Sequence, residues 1–322
     1  MARELGFVSL VIPAHNEMGN ISTICRVISD VMQHQHYEII IVNDGSRDET
    51  LTEIKRCHAQ DPHVQFISLS RNFGHQMAVK AGLEHARGDC VITLDADQEH
   101  PVAVIPQMLQ LWKQGYDIVQ TCRQNNKSLP FYKRFFSGLF YRCVSVLSDI
   151  EIKPGTADFR LLDRRVADIC AQLSENDIFW RGIVPWLGFK QTFLDYKQGT
   201  RTVGESKYTF KKMLTLSLSG VTGFSTKPLQ LSTSLGVLLA SFSFFYLMYA
   251  LFIRLFTGQT VEGWTSVIAS GLLIGGIQLV MLGILGLYLG KVFVEIKRRP
   301  PYIIDEISPA LSSVSRTNRD PT

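Results

Sequence analysis

Two aspartates one residue apart, Asp95 and Asp97, follow a short apolar run from Cys90 to Leu94. Such a run reads as a buried strand, so the carboxylates fall in the loop beyond its carboxyl end. Paired hard oxygen donors suit Mg2+ or Mn2+, which bind through one or two carboxylates together with phosphate oxygens. No Lys or Arg in the immediate run neutralises the pair. A helix cap or a solvated loop would use the same spacing, so the pair alone does not decide. Far downstream, residues 228–256 and 264–293 are dominated by apolar side chains. At about 1.5 Å per residue each can cross a hydrocarbon core of about 30 Å. A diphosphate–metal site joined to a bilayer anchor points to a water-soluble nucleotide donor and a lipid acceptor.

Asn43-Asp44-Gly45-Ser46 follows a second apolar run. Gly45 permits a tight turn, and Asp44 can accept a hydrogen bond from a ring N–H; an ordinary Asx turn reads the same way. No Gly-x-Gly-x-x-Gly follows the first apolar run and no Walker A sequence is present, which argues against dinucleotide and P-loop sites. The eight histidines show no zinc spacing, and His34 and His36 read as surface residues near a turn. Six dispersed cysteines without a Cys-x-x-Cys pair read as buried, reduced thiols. The apolar run 7–12 is too short for a signal peptide.

The elements that must position these groups alternate. Residues 7–12, 37–42, 64–69, 90–94 and 118–121 read as buried parallel strands, with helices over 19–33, 48–59, 73–87 and 101–115. Asp48 is the expected N-cap of the second helix, and Pro101 suits the first turn of the fourth. The order implies an α/β, doubly wound sheet whose ligands bind beyond the carboxyl ends of the strands. Residues 129–147 and 206–224 read as basic, aromatic amphipathic helices suited to a membrane interface; the alternative for the first is packing on the sheet with a solvated basic edge.

Net charge is +4, too small to imply nucleic acid, but the basic residues cluster before the first apolar span and after the second. The connector 257–263 carries neither Lys nor Arg. The positive-inside rule then places both termini in the cytoplasm and the connector outside. The expected organisation is a cytoplasmic catalytic domain over 1–227, two transmembrane helices over 228–293 and a cytoplasmic tail over 294–322. The end of that tail, 311–322, is polar and reads as disordered.

Pro13-Ala14-His15-Asn16-Glu17, Asn43-Asp44-Gly45-Ser46, Arg71-Asn72-Phe73-Gly74, Asp95-Ala96-Asp97, Asp158-Phe159-Arg160 and Arg201-Thr202-Val203-Gly204-Glu205-Ser206-Lys207-Tyr208 occur in that order. This set resembles the family-2 polyprenyl-phosphate glycosyltransferases of GT-A fold. That family includes GtrB-type undecaprenyl-phosphate glucosyltransferases, undecaprenyl-phosphate aminoarabinose transferases and dolichol-phosphate mannose synthase. The resemblance covers nearly the whole chain. It implies a GT-A sheet with interfacial helices and a transmembrane hairpin, in the bacterial cytoplasmic membrane. It implies metal-dependent, inverting transfer of a sugar, from UDP in the bacterial members, to undecaprenyl phosphate. Nucleotide-sugar binding is implied for Pro13, Ala14, Asn16, Glu17, Asp44, Asp95, Ala96 and Arg123. Mg2+ or Mn2+ would be held by Asp95, Asp97 and Glu99. The lipid phosphate would meet Arg123, Arg134, Arg201 and Lys207, and the catalytic set would be Asp158, Arg201 and Lys207. A homotetramer is compatible with the family and with the glycines of the second span.

Three departures stand out: His15 replaces a Tyr, Asn43 replaces an Asp, and Asp97-Gln98-Glu99-His100 puts Glu99 where the family has a metal-facing Gln. An ionised lipid phosphate is already a nucleophile, so Asp158 is expected to orient the sugar or to stabilise positive charge; a base role is physically less necessary. Two rivals exist. A processive polysaccharide synthase would need more spans and a Gln-x-x-Arg-Trp motif, which is absent. A non-catalytic sugar-nucleotide-binding membrane protein would not need intact Asp95, Asp97, Arg201 and Lys207.

Overall fold

A computed structural model of the chain describes residues 3–123, 155–175, 178–196, 226–257 and 263–312. The expected interfacial helices, with Arg134, Arg201 and Lys207, lie outside the described residues. The chain divides into two units. One joins the N-terminal region to the segment from Pro300 onward, and the other holds the two long apolar helices.

The first unit is built on β1 (Phe7–Ala14), β2 (His36–Asn43), β3 (Val64–Leu69), β4 (Cys90–Thr93) and β5 (Ile118–Arg123), as the apolar runs predict. Three further strands, β6 (Thr156–Asp163), β7 (Gln191–Tyr196) and β8 (Ile304–Ile307), complete one sheet in the order β7-β5-β6-β4-β1-β2-β3-β8. Strands β1 to β4 are mutually parallel. Strand β6 is antiparallel to both of its neighbours, β4 and β5. The sheet is therefore a mixed, GT-A-like one, where strand–helix alternation alone predicts a parallel one.

Helices cover both faces, which explains why β1 is apolar apart from Ser9. Val8, Leu10 and Ile12 join a core with Ile21, Ile24 and Ile28 of α1 (Met18–Met32) and with Met108 and Trp112 of α4 (Ile105–Lys113). On the other face Val11 meets α3 (His75–His85), so closely that a Cβ on Gly82 would sit 2.2 Å from a Val11 methyl carbon. The second helix, α2 (Thr50–Gln60), starts two residues after Asp48, which still accepts the Thr50 N–H at 3.1 Å. Pro101 precedes a 3-10 turn at Val102–Val104, and Pro106 takes the first-turn position of α4 instead. After β6 come α5 (Arg164–Gln172), whose N-cap is the Asp163 carboxylate, and α6 (Trp180–Trp186).

In the second unit, α7 (Lys227–Thr257) and α8 (Trp264–Ile296) are long and apolar enough to cross a bilayer, over Leu229–Tyr249 and Ser270–Ile296. Large side chains such as Leu238, Phe242, Leu279 and Leu289 stand exposed along them. Water does not tolerate such a surface, whereas hydrocarbon matches it. The hydroxyls of Thr233, Ser241 and Ser270 each donate to a carbonyl one turn back, so they ask nothing of the lipid.

The segment read as a tail includes structure beyond α8. Strand β8 pairs antiparallel with β3, and the short helix α9 (Pro309–Ser312) follows. Ser308 donates its N–H to the Phe66 carbonyl at 3.0 Å, and Leu311 is fully buried at 0% exposure. Leu311→Ala should therefore cost about 2–5 kcal/mol through the lost side chain and the space it leaves. A clear fall in the melting temperature of the detergent-solubilised chain checks this; an unchanged melting temperature would show that Leu311 adds nothing to the core.

Candidate active site

The carboxyl ends of β1, β2 and β4 open at one edge of the sheet. Because β6 runs backward, its first residues reach the same edge, as does Arg123 at the end of β5. Thr93 of β4 lies opposite Arg160 of β6 and donates its hydroxyl to the Asp158 carbonyl at 2.7 Å. Asp95, two residues on, is thereby brought beside Asp158.

The loops after β1 and β2 are knit together. Asn16 has φ +56, a left-handed conformation that Asn tolerates, and its side-chain oxygen accepts the Arg47 N–H at 2.9 Å. Ser46 accepts the Asn16 N–H, and Thr50 accepts that of Glu17. Pro13 and Ala14 end β1 and are buried, so their backbone is what a nucleoside could reach. Asp44 is also buried. Its two oxygens accept the backbone N–H groups of Phe73 (2.7 Å) and Gly74 (3.0 Å), which holds the Arg71–Gly74 loop at the start of α3. Each oxygen keeps a second lone pair for a base N–H. Gly45, at φ +57, lies against that loop: a Cβ there would fall 2.2 Å from the Arg71 carbonyl carbon. His15, in place of the expected Tyr, donates from Nδ1 to the Asp44 carbonyl at 2.7 Å.

Asp95 is partly exposed and stands 3.1 Å from Nε2 of buried His100 and 3.7 Å from Nε2 of His75. Burial pushes its carboxyl up, but the His100 hydrogen bond and the two nearby rings outweigh this and hold it below the usual range. Asp97 accepts the Glu99 N–H at 3.0 Å, closing a turn in which Gln98 takes φ +60. Ala96 is buried between them. Glu99 points to Arg123, at 3.2 Å. Among the described residues no three His, Cys, Asp or Glu side chains converge as a ligand set. Two carboxylates still fit a magnesium-like ion, since such ions take their remaining ligands from water and phosphate oxygens.

Asp158 is clamped. Arg181 approaches it with two nitrogens, at 2.7 and 3.3 Å, and buried Arg160 with a third at 2.6 Å. Burial alone would raise its pKa; Arg181 first and Arg160 next reverse the sign and hold the carboxyl far below the usual range. A group so acidic is a poor proton acceptor at neutral pH. Behind it a cavity of about 10 Å³, lined by His75, Thr93, Asp158 and Arg160 among others, has room for about one water. Sequence reading did not single out Arg181, His75, His100 or Tyr196. His75 directly follows the Arg71–Gly74 motif and His100 closes the Asp97–His100 run, which is the one signal that could have found them.

The chain was compared with known proteins. Residues 9–170 match the family model described as Glycosyl transferase family 2. An uncharacterized glycosyltransferase of Bacillus subtilis, YkcC, is 41% identical over 308 residues, covering 95% of each chain. The SfII prophage-derived bactoprenol glucosyl transferase of Shigella flexneri is 37% identical over 299 residues, covering 92% of this chain and 97% of its own. Among solved structures, mannosyl-3-phosphoglycerate synthase from Rubrobacter xylanophilus superposes on 67% of this chain and 72% of its own, with TM-score 0.48 at 14% identity. That likeness is too partial to bear on substrate.

The clamp on Asp158 makes a pH prediction. Its folded-state pKa is depressed, so its stabilising contribution is full above the unfolded value of about 4 and is lost as pH falls through the folded value. Arg181→Gln weakens the clamp, raises the folded value, and should move acid unfolding to higher pH. Circular dichroism on acid titration checks this. An unmoved acid midpoint would show that Arg160 suffices.

Proposed function

The chain belongs to glycosyl transferase family 2, and from that premise we propose that it transfers a sugar from a UDP-sugar to undecaprenyl phosphate, releasing UDP. One observation carries this reading: Asp95, Asp158 and Arg123 meet at one sheet edge, on a chain with two bilayer-length apolar helices. The acceptor is supported by the Shigella flexneri relative, named for bactoprenol, whose alignment is long enough to run into both helices. UDP rests on the resemblance to bacterial polyprenyl-phosphate transferases.

The chemistry follows from the acceptor. A lipid phosphate is ionised at neutral pH and needs no general base. The depressed pKa of Asp158 agrees with that: it serves as a fixed negative charge that orients the sugar and stabilises positive charge at its anomeric carbon. The larger obstacle is repulsion between two anionic substrates. Arg123, one-third exposed at the site edge, meets a phosphate there. Arg201, Lys207 and Arg134 complete the cationic set in this reading. Asp95 and Asp97 would hold Mg2+ or Mn2+, which would supply positive charge to the departing diphosphate. Pro13, Ala14, Asn16, Glu17 and Asp44 form the nucleoside end. Attack opposite the leaving group inverts the anomeric centre.

Chain connectivity supports the hairpin. Strand β7 precedes α7 and β8 follows α8, yet both belong to one sheet. In this reading the two helices form a hairpin that returns the chain to the side from which it left. The basic clusters on either flank support a cytoplasmic side for both ends.

Two experiments test this reading. A screen of UDP- and GDP-sugars with purified chain, Mn2+ and undecaprenyl phosphate should yield a lipid phosphate heavier by one sugar in mass spectrometry. Asp97→Asn should lower that turnover by about 100-fold while leaving the protein folded. Absence of lipid product with every donor, or a polymer in its place, would refute the acceptor. For topology, a cysteine introduced in 257–263, in a background lacking native cysteines, should react with an impermeant thiol reagent from outside. One introduced in 313–322 should react only after permeabilisation. The opposite pattern reverses the orientation.

A further inference from the structure

Tyr196 closes β7 and is the register partner of Arg123 at the end of β5. It is 4% exposed. Its phenol oxygen accepts the Arg123 Nε–H at 3.2 Å and stands 2.8 Å from Nδ1 of His100. The other ring nitrogen, Nε2, is 3.1 Å from Asp95 Oδ2. An ionised carboxylate can only accept, so Nε2 donates to Asp95; with Nδ1 as the ring's acceptor, the Tyr196 O–H donates to it. Burial pushes the phenol up against the pull of Arg123, so the proton this link needs is present at neutral pH. Every donor in the chain thus points the same way, from guanidinium to phenol to imidazole to carboxylate. The rings are also packed: Phe159 lies 5.3 Å from His100 and 6.3 Å from Tyr196, centroid to centroid.

We propose that Tyr196 is a positioning residue for sugar transfer, its hydroxyl orienting at once the Arg123 guanidinium and, through His100, the Asp95 carboxylate. This rests on the function proposed above. Arg123 and Asp95 are the two groups there that face opposite charges, a phosphate and a metal-bound donor. Neither Tyr196 nor the Glu99 contact, which uses Nη2, occupies Nη1 of Arg123. A guanidinium held by its other nitrogens offers that one to a phosphate in a set direction. Without the hydroxyl, Nε loses its acceptor and His100 loses the partner that fixes its ring. Outer partners of this kind set the orientation and basicity of the group they hold.

The test is Tyr196→Phe in the full chain, which removes one oxygen and keeps the ring. Turnover should fall by about 10- to 100-fold with the melting temperature nearly unchanged. In protein carrying 15N-histidine, at one neutral pH and without substrate, the unprotonated Nδ1 of His100 should shift because its donor is gone; His100→Gln assigns the resonance. Full turnover in Tyr196→Phe overturns the proposal. So does a loss of turnover with the Nδ1 resonance unmoved, or one matched by a lowered melting temperature. If wild-type protein transfers no sugar, the functional reading fails, while the resonance still reports on the hydrogen-bond chain.

Discussion

Strand β6 lies antiparallel between β4 and β5, and the rest of the site follows from that pairing. A parallel strand in this slot would begin at the opposite edge of the sheet and carry its first residues away from Asp95. Running backward, β6 brings Asp158 to the edge where β1, β2 and β4 end. The Thr93 hydroxyl on the Asp158 carbonyl sets the depth at which the two carboxylates meet. It also puts Arg160 inside the sheet layer, where it must be paired because a buried lone charge is expensive. Asp158 is that pair, so one backbone register determines both where the carboxylate sits and what charge it bears.

The site is crowded with carboxylates, and each is met by donors. Asp158 sits between Arg160 and Arg181, Asp95 between His75 and His100, and Glu99 beside Arg123. Burial disfavours the ionised form of both aspartates, yet both are held below the ordinary carboxylate range. Neighbouring donors therefore win over desolvation, which suits a site that acts through fixed charge rather than through proton transfer. Preorganised charge of this kind needs no reorganisation as a reaction proceeds.

Much of the frame was legible in the sequence. Strands β1 to β5 are buried on both faces, so their apolar runs are nearly unbroken, and α7 and α8 announce themselves by length. Strand β6 was not read as a strand because Thr-Ala-Asp-Phe-Arg-Leu-Leu-Asp puts a carboxylate and a guanidinium in a central strand; only the fold shows that they neutralise each other. Strand β7 has one residue in two exposed, and β8 is four residues long with two acids. Neither rises above a loop in pattern. Single-residue partners were harder still. His100 and Tyr196 meet across 96 positions, and Asp158 and Arg181 across 23, with no local periodicity to connect them. Motif resemblance named Asp95 and Asp158, which the motifs contain, and did not name the residues that hold them.

Glu99 has a partner in the fold that its motif position does not specify. The sequence places it where the family has a metal-facing Gln, so an extra carboxylate there promises a third oxygen ligand. In the fold its side chain turns to Arg123, and the turn closed by Asp97 sets that direction. The effect on a phosphate at Arg123 has two parts of opposite sign. A carboxylate at 3.2 Å offsets part of the guanidinium charge, which weakens long-range attraction for an anion. The same contact, with the phenol of Tyr196, removes rotational freedom that binding would otherwise have to remove. Arg123 is one-third exposed, so water already screens the charge term, while the orientational term acts at contact and is not screened. On the proposed reaction, where a phosphate must be aimed at one carbon, the second effect outweighs the first.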